Sequence, residues 1–136
     1  MIYLLDTNVI SETIKTSPNK QILTWLRSVN ITHFSLSVVT LGEIRKGVEQ
    51  IADSAKKQHI IKWLEIDLTR EFLGRIINID QAVADKWGYI LARYPISAID
   101  GLIAATALVH NLKLVTRNTK DFQTLAGLEL IDPWQL

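Results

Sequence analysis

The chain has 136 residues, enough for one domain with a sizeable core and too few for two. It contains no cysteine, which excludes disulfides, thiolate metal sites and a thiol nucleophile, and its 48% hydrophobic and 21% charged residues give a globular balance. A net charge of +1 gives no whole-molecule argument for a nucleic-acid partner and leaves the question to the distribution of charge, and no apolar run reaches the roughly 20 residues of a membrane span. The opening Met1-Ile2-Tyr3-Leu4-Leu5-Asp6 has no basic leader and meets an acid early, so the cytoplasm is the expected compartment.

Ile2–Leu5 predicts a buried strand and Val9–Ile14 a short helix. Pro18-Asn19 breaks the chain before a helix carrying Ile22, Leu23, Trp25 and Leu26, and His33–Leu36 predicts a second short strand. From Ser37 onward, Val38, Leu41, Ile44, Val48 and Ile51 recur at the three- and four-residue spacing of an amphipathic helix, with Ser37 as its N-cap. Glu43 falls inside that helix, at the edge of its apolar stripe. A further helix over about Ser54–Leu68 precedes a strand at Arg75–Ile79. Asp80 caps a helix with Val83, Trp87, Ile90, Leu91 and Tyr94 on one face, and Pro95 stops it. Ser97-Ala98-Ile99-Asp100 is a capping arrangement leading into an Ala-rich helix through His110. Lys113–Thr116 predicts a strand, Arg117–Asp121 a turn, and Leu130-Ile131 a last short strand. This alternation predicts a three-layer α/β fold, a central mostly parallel sheet flanked by helices, in a single domain over residues 1–136.

Four acids stand out against that frame. Asp6 and Asp121 follow predicted strands, and an open parallel sheet gathers functional groups outside the carboxyl ends of its strands. Asp100 opens a helix and Glu43 lies mid-helix. Hard carboxylate oxygens are what Mg²⁺ and Mn²⁺ prefer, and such ions activate water and offset charge on phosphate. Singly, each acid has an ordinary explanation: an Asx turn for Asp6, a cap for Asp100, a helix surface for Glu43, a turn for Asp121. Arg45, Lys46, Lys113, Arg117 and Lys120 lie close in sequence to one acid or another, as a site for a polyanion requires, although each alone reads as solvated basic surface.

Leu5-Asp6-Thr7-Asn8-Val9-Ile10-Ser11-Glu12, Thr40-Leu41-Gly42-Glu43-Ile44-Arg45-Lys46-Gly47, Ile99-Asp100-Gly101-Leu102-Ile103-Ala104-Ala105-Thr106-Ala107 and Val115-Thr116-Arg117-Asn118-Thr119-Lys120-Asp121-Phe122 occur in that order. In these motifs the chain resembles a PIN-domain ribonuclease of the VapC toxin family, in its FitB-like subgroup, over essentially its whole length. The resemblance implies a three-layer PIN-like fold and assigns Asp6, Glu43, Asp100 and Asp121 as the catalytic, metal-binding quartet. Asp6 and Asp100 are the first choices as direct ligands of Mg²⁺ (or Mn²⁺). Glu43 binds through water or accepts the nucleophile's proton, and Asp121 completes the shell or holds a second ion. Thr7, Asn8, Thr116 and Asn118 match the residues that orient those carboxylates, and Arg117 or Lys120 would hold a substrate phosphate. Gly101 stands where the subgroup often has alanine.

The same resemblance implies metal-dependent endonucleolytic hydrolysis of RNA leaving a 5′-phosphate and a 3′-hydroxyl. It implies a cognate antitoxin with a DNA-binding domain, a homodimer, and no membrane association. The alternative it leaves is a PIN-fold partner of such an antitoxin that acts mainly in operon autoregulation. A haloacid-dehalogenase phosphatase is disfavoured because position 8 is Asn where a second Asp is needed, and a receiver domain because its acid pair and following Lys are missing. His33, His59 and His110 have no zinc-ligand spacing. Trp25, Trp63, Trp87 and Trp134 read as core or subunit contacts rather than a base-stacking platform. Glu12 reads as a charged surface residue.

Overall fold

A computed structural model describes all residues from Met1 to Leu136. Short strands alternate with helices: β1 (Tyr3–Leu5), α1 (Thr7–Thr13), α2 (Lys20–Ser28), β2 (Phe34–Ser37), α3 (Val38–Glu49) and α4 (Ala55–Lys62) come first. The helix of α4 continues through a π-helical segment, Trp63–Leu68, into the single turn α5 (Thr69–Glu71). Then follow β3 (Ile76–Ile77), α6 (Gln81–Arg93), α7 (Ala98–Val109), β4 (Lys113–Val115), a 3₁₀ turn at Thr119–Asp121, and β5 (Leu130–Ile131).

All five strands are parallel, in the order β3-β2-β1-β4-β5. Successive side chains on a strand point to opposite faces, and here both faces are covered, which is why β1 reads as an uninterrupted apolar run. Leu4 and Leu114, paired across β1 and β4, enter the core that holds Val83 and Ile90 of α6 and Ile103 of α7. Leu5, Val115, Phe34 and Leu36 enter the opposite core with Val9 and Ile10 of α1, Ile44 and Val48 of α3, and Leu64 and Leu68 of the π segment. Fully burying a leucine is worth about 1.5–3 kcal/mol, so the alternation along these short strands decides the layering.

The helix starts follow capping chemistry. Asn19, Ser37, Asp80 and Ser97 each accept a backbone N–H from the first turn of α2, α3, α6 and α7. Asp6 does the same for α1, which therefore begins at Thr7 rather than at Val9. Asn111, with φ 54°, closes α7: Leu112 N–H donates to Ala107 O at 2.8 Å, the bond of a Schellman turn, and the chain swings directly into β4.

The helix expected over Ser54–Leu68 contains an unexpected π segment, which is followed by Thr69 donating its hydroxyl to Leu64 O. The strand expected over Arg75–Ile79 shrinks to two residues. No helix is long and apolar enough to cross a membrane.

Candidate active site

The chain runs from β1 to β2 to β3 on one side of the sheet and then returns past β1 to β4 and β5 on the other. The carboxyl ends of β1 and β4 thus flank the point where strand order reverses, the place where open α/β sheets form crevices. Asp6 and Thr116 are the first residues beyond those two strands. Asp6 N–H donates to Val115 O at 2.9 Å, so the backbone itself fixes the acid against β4.

Asp6 is buried, with 6% of its surface exposed. Its Oδ1 accepts Thr7 N–H at 2.8 Å, and its Oδ2 accepts the fully buried Thr116 hydroxyl at 2.8 Å and Asn8 Nδ2 at 3.4 Å. Burial pushes the Asp6 carboxyl above its ordinary value. The Thr116 hydroxyl and Thr7 N–H pull it back, and the negative charges of Asp100 and Glu43 raise it again.

Glu43 comes from α3, and Thr7 donates its hydroxyl to Glu43 Oε1 at 2.5 Å. The same hydroxyl lies 3.2 Å from that of Thr40, a fully buried residue one helical turn before Glu43. Thr40 was not legible as a site residue, although its position three before an acid on one helix face was the available signal. Asp100 sits half-buried in the first turn of α7, where its N–H bonds the Ser97 hydroxyl at 3.3 Å. Desolvation raises its carboxyl, the Ser97 hydroxyl opposes that, and the charge of Asp121 adds to it. Asp121 is exposed at the end of the 3₁₀ turn after β4.

The four acids therefore share one edge of the sheet: Asp6 feels Glu43 and Asp100, and Asp100 feels Asp121. No three of the molecule's acids and histidines stand close enough together to grip a single ion. None of the ion pairs of the molecule touches the quartet; they join Glu12, Glu49, Asp53, Glu65 and Glu129 to Lys15, Arg45, Lys57 and Lys113. An all-oxygen donor set with its negative charge uncompensated by any side chain is the chemistry that suits a hard divalent cation. Asp6 and Asp100, both raised by burial and by neighbouring acids, are the residues such a charge would relieve most.

The remaining candidates separate. Asn8 bridges elements, donating Nδ2 to Asp6 Oδ2 and to Thr116 Oγ1 at 3.3 Å while its Oδ1 accepts Arg117 N–H at 3.2 Å. Asn118 contributes its backbone N–H, 3.1 Å from Thr116 Oγ1. The Arg117 side chain makes no ion pair with the acids and lies over the Trp134 ring, 5.1 Å from its centroid, in a cleft that Asp121 also lines. Lys120 is exposed, forms no ion pair, and stands with Asp121 in the wall of an open cleft of about 290 Å³ that also contains Asp100.

Glu12, expected at the surface, is instead buried: its carboxylate accepts Asn19 N–H at 2.9 Å and Lys15 Nζ at 3.0 Å. These bonds, the backbone one first, hold its carboxyl below the ordinary range. It braces the turn between α1 and α2 and takes no part in the acid cluster. His59 and His110 are exposed and His33 is half-exposed, all apart from the acids. An apolar cleft of about 460 Å³ between α1, α2 and the π segment contains none of the four acids.

The PIN-domain family model matches residues 3–128. Toxin FitB of Neisseria gonorrhoeae is 38% identical over 136 residues, covering 96% of this chain and 97% of that one. VapC ribonuclease Y4jK of Sinorhizobium fredii is 32% identical, covering 97% of each. Among solved structures, FitAcB from Neisseria gonorrhoeae superposes with a TM-score of 0.92 at 37% identity, over 99% of this chain and all of that one. A toxin-antitoxin complex from Klebsiella pneumoniae gives 0.70 at 31%, over 96% and 97%. VapBC2 from Rickettsia felis, bound to a DNA fragment from its promoter, gives 0.76 at 28%, over 96% and 98%. The chain belongs to the PIN-domain family, among the VapC toxin ribonucleases and close to FitB.

Proposed function

We propose that this chain is the toxin of a toxin–antitoxin pair, an endoribonuclease that hydrolyses RNA phosphodiester bonds with the help of Mg²⁺ or Mn²⁺. The observation that carries the reading is the Asp6 carboxylate, which is buried, held by Thr7, Thr116 and Asn8, and crowded by like charges that no side chain neutralises. In support, a relative is named a VapC ribonuclease and a structural neighbour is a toxin-antitoxin complex.

A divalent ion bound here supplies a lowered pKa for water and compensation for charge on phosphate and the leaving oxygen. Asp6 and Asp100 would hold it as a pair, with Glu43 acting through bound water and Asp121 completing the shell through water or holding a second ion, since no three acids stand close enough to share one ion directly. The chain's own part is positional. Thr116 and Asn8 set the rotamer of Asp6, and Thr7 fixes Glu43, a carboxylate able to accept a proton from the attacking water. Lys120, free of ion pairs beside Asp100 and Asp121, is placed to meet a substrate phosphate.

The antitoxin would be a protein with a DNA-binding domain that covers this edge with a basic side chain, since an arginine or lysine can neutralise the quartet as a metal would. The VapBC2 complex on promoter DNA favours a second role, autoregulation together with that partner. The two roles are separable by assay.

The test is cleavage of RNA by the purified chain in Mg²⁺, Mn²⁺ and excess EDTA. Cleavage is expected only with metal. Changing residues that merely support metal ligands costs about 10–100-fold, so Asp100→Asn, which alters a ligand itself, is expected to lose about 100-fold or more. His59→Ala, on the exposed face of α4, is expected to retain wild-type rates. Robust cleavage in EDTA, or equal losses in the two variants, would overturn the assignment.

A further inference from the structure

A second cleft, of about 470 Å³, adjoins the one containing Asp100, and Lys120 and Asp121 belong to the walls of both. Its lining is polar apart from one side chain, the indole of Trp134. That residue is held in place from several directions. Trp134 N–H donates to Asp132 Oδ1 at 2.9 Å, Pro133 before it is buried, and Gln21 of α2 donates to the carbonyl of Leu136 just beyond it. The Arg117 guanidinium lies over the ring, 5.1 Å from the centroid, and Arg117 is exposed and makes no ion pair.

The Arg117 backbone is tied to the acids through one side chain. Asn8 accepts Arg117 N–H with one end of its amide and donates to Asp6 Oδ2 with the other. A planar guanidinium layered over an indole, in an otherwise polar cleft, offers its outer side to a nucleobase, because bases stack on arginine planes as they do on aromatic rings. Asp132 spends one carboxylate oxygen on Trp134 N–H and keeps the other as an acceptor for the edge of a base.

We propose that Arg117, layered over Trp134, forms a base-stacking platform for the unpaired nucleotide next to the scissile phosphate. The chain therefore prefers single-stranded RNA and selects the base at one position beside the cut. This rests on the ribonuclease reading for the place of the phosphate; Trp134 keeps the core contact expected of it, packing against the cluster of Leu5 and Val115, while Arg117 departs from its expectation as a phosphate ligand. A base in a helix is already stacked and paired, so only an unpaired nucleotide can enter.

The test uses the full chain and a random-sequence pool of single-stranded RNA dodecamers with Mn²⁺, sequencing the new 5′ ends. The wild type is expected to enrich particular bases at one position flanking the cut. Arg117→Ala and Trp134→Ala are expected to flatten that preference and raise KM about tenfold, equivalent to about 1.4 kcal/mol, with kcat changed less than about threefold. Trp134→Phe is expected to keep most of the preference. A merely structural Trp134 would lower the amount of active protein and leave the base preference unchanged.

Binding of the same pool, end-labelled, is measured by fluorescence anisotropy in EDTA. If the wild type binds and both Arg117→Ala and the charge-keeping Arg117→Lys bind about tenfold more weakly, the stacking platform stands even where no cleavage is found, and the ribonuclease reading alone falls. If Arg117→Ala keeps wild-type affinity and base preference, as does Trp134→Ala where it folds, the stacking platform is wrong. Arg117 is exposed, so its removal leaves no cavity and keeps the test open should Trp134→Ala fail to fold.

Discussion

Asp6 is held by three hydrogen-bond donors and still favours its proton, because withdrawing the charge from water costs more than those donors return and two neighbouring acids add to the cost. Asp100 shares this bias. A carboxyl whose folded pKa lies above its unfolded value of about 4 adds stability that is complete below pH 4 and lost as pH rises through the raised value. Metal-free protein is therefore expected to lose this contribution as the pH rises above about 4. Asp6→Asn resembles the protonated state. In EDTA at pH 7 it is expected to melt above the wild type, by about 4 °C for each kcal/mol relieved, and to gain less from added Mn²⁺. Thermal melts with EDTA and with Mn²⁺ check this. A lower metal-free melting temperature for Asp6→Asn would mean that its bond from Thr116 outweighs the repulsion. At this scale the acids were legible jointly, from their order and their places in the predicted elements, and Thr7, Asn8, Thr116 and Asn118 only through the family resemblance, because each residue taken singly has an ordinary use in a turn, a cap or a helix surface. Glu12 was not, since burial of an acid depends on Asn19 and Lys15 folding back over it, which no spacing encodes.

The crossing of α6 over α7 places Asp100. A Cβ built on Gly101 would lie 3.0 Å from Leu91 Cδ2 and 3.2 Å from Trp87 Cδ1, and Trp87 Nε1 donates to Ala98 O at 3.0 Å in the first turn of α7. Glycine at 101 thus allows the two helices to approach beside the acid, which gives a packing reason for the departure from alanine. Gly101→Ala trades a gain in helix propensity of about 1 kcal/mol against a shift of the flexible Leu91 tip, so its stability is expected to stay within about 1 kcal/mol of wild type. Gly101→Val presses further into the Trp87 ring and is expected to cost about 1–3 kcal/mol in urea unfolding, with slower cleavage as α7 moves. Equal stability for both variants would show that the crossing is loose. The helices were readable from their caps and apolar spacing, because Ser37, Asp80 and Ser97 act locally. The π segment was not, because its apolar residues suit either helix type and Thr69 bonds Leu64 O only once the wider turn exists. Strand lengths were overestimated for a similar reason: β3 ends where its partner β2 ends, not where its own β-branched residues do.

Across the whole molecule, the alternation of strand and helix specified the layers, while strand order and the meeting of Asp100 with Asp6 came from long-range pairing. A net charge of +1 leaves attraction of RNA to local groups such as Lys120 and Arg117. Leu73, at 79%, and Ile66, at 44%, are large apolar side chains left in water, and a homodimer is the expected state. Light scattering at micromolar concentration is expected to give twice the 15.4 kDa of one chain, and a monomer mass throughout would contradict it. The bond from Thr116 to Asp6 joins residues 110 apart in sequence, and β1 gains its second neighbour only when β4 exists. On a ribosome adding about 5–20 residues per second, the first acid waits several seconds or more for the threonine that orients it. A nascent chain therefore carries Asp6 and Glu43 with the site unassembled, and a product truncated before β4 is expected to leave RNA intact in the same metal-dependent cleavage assay.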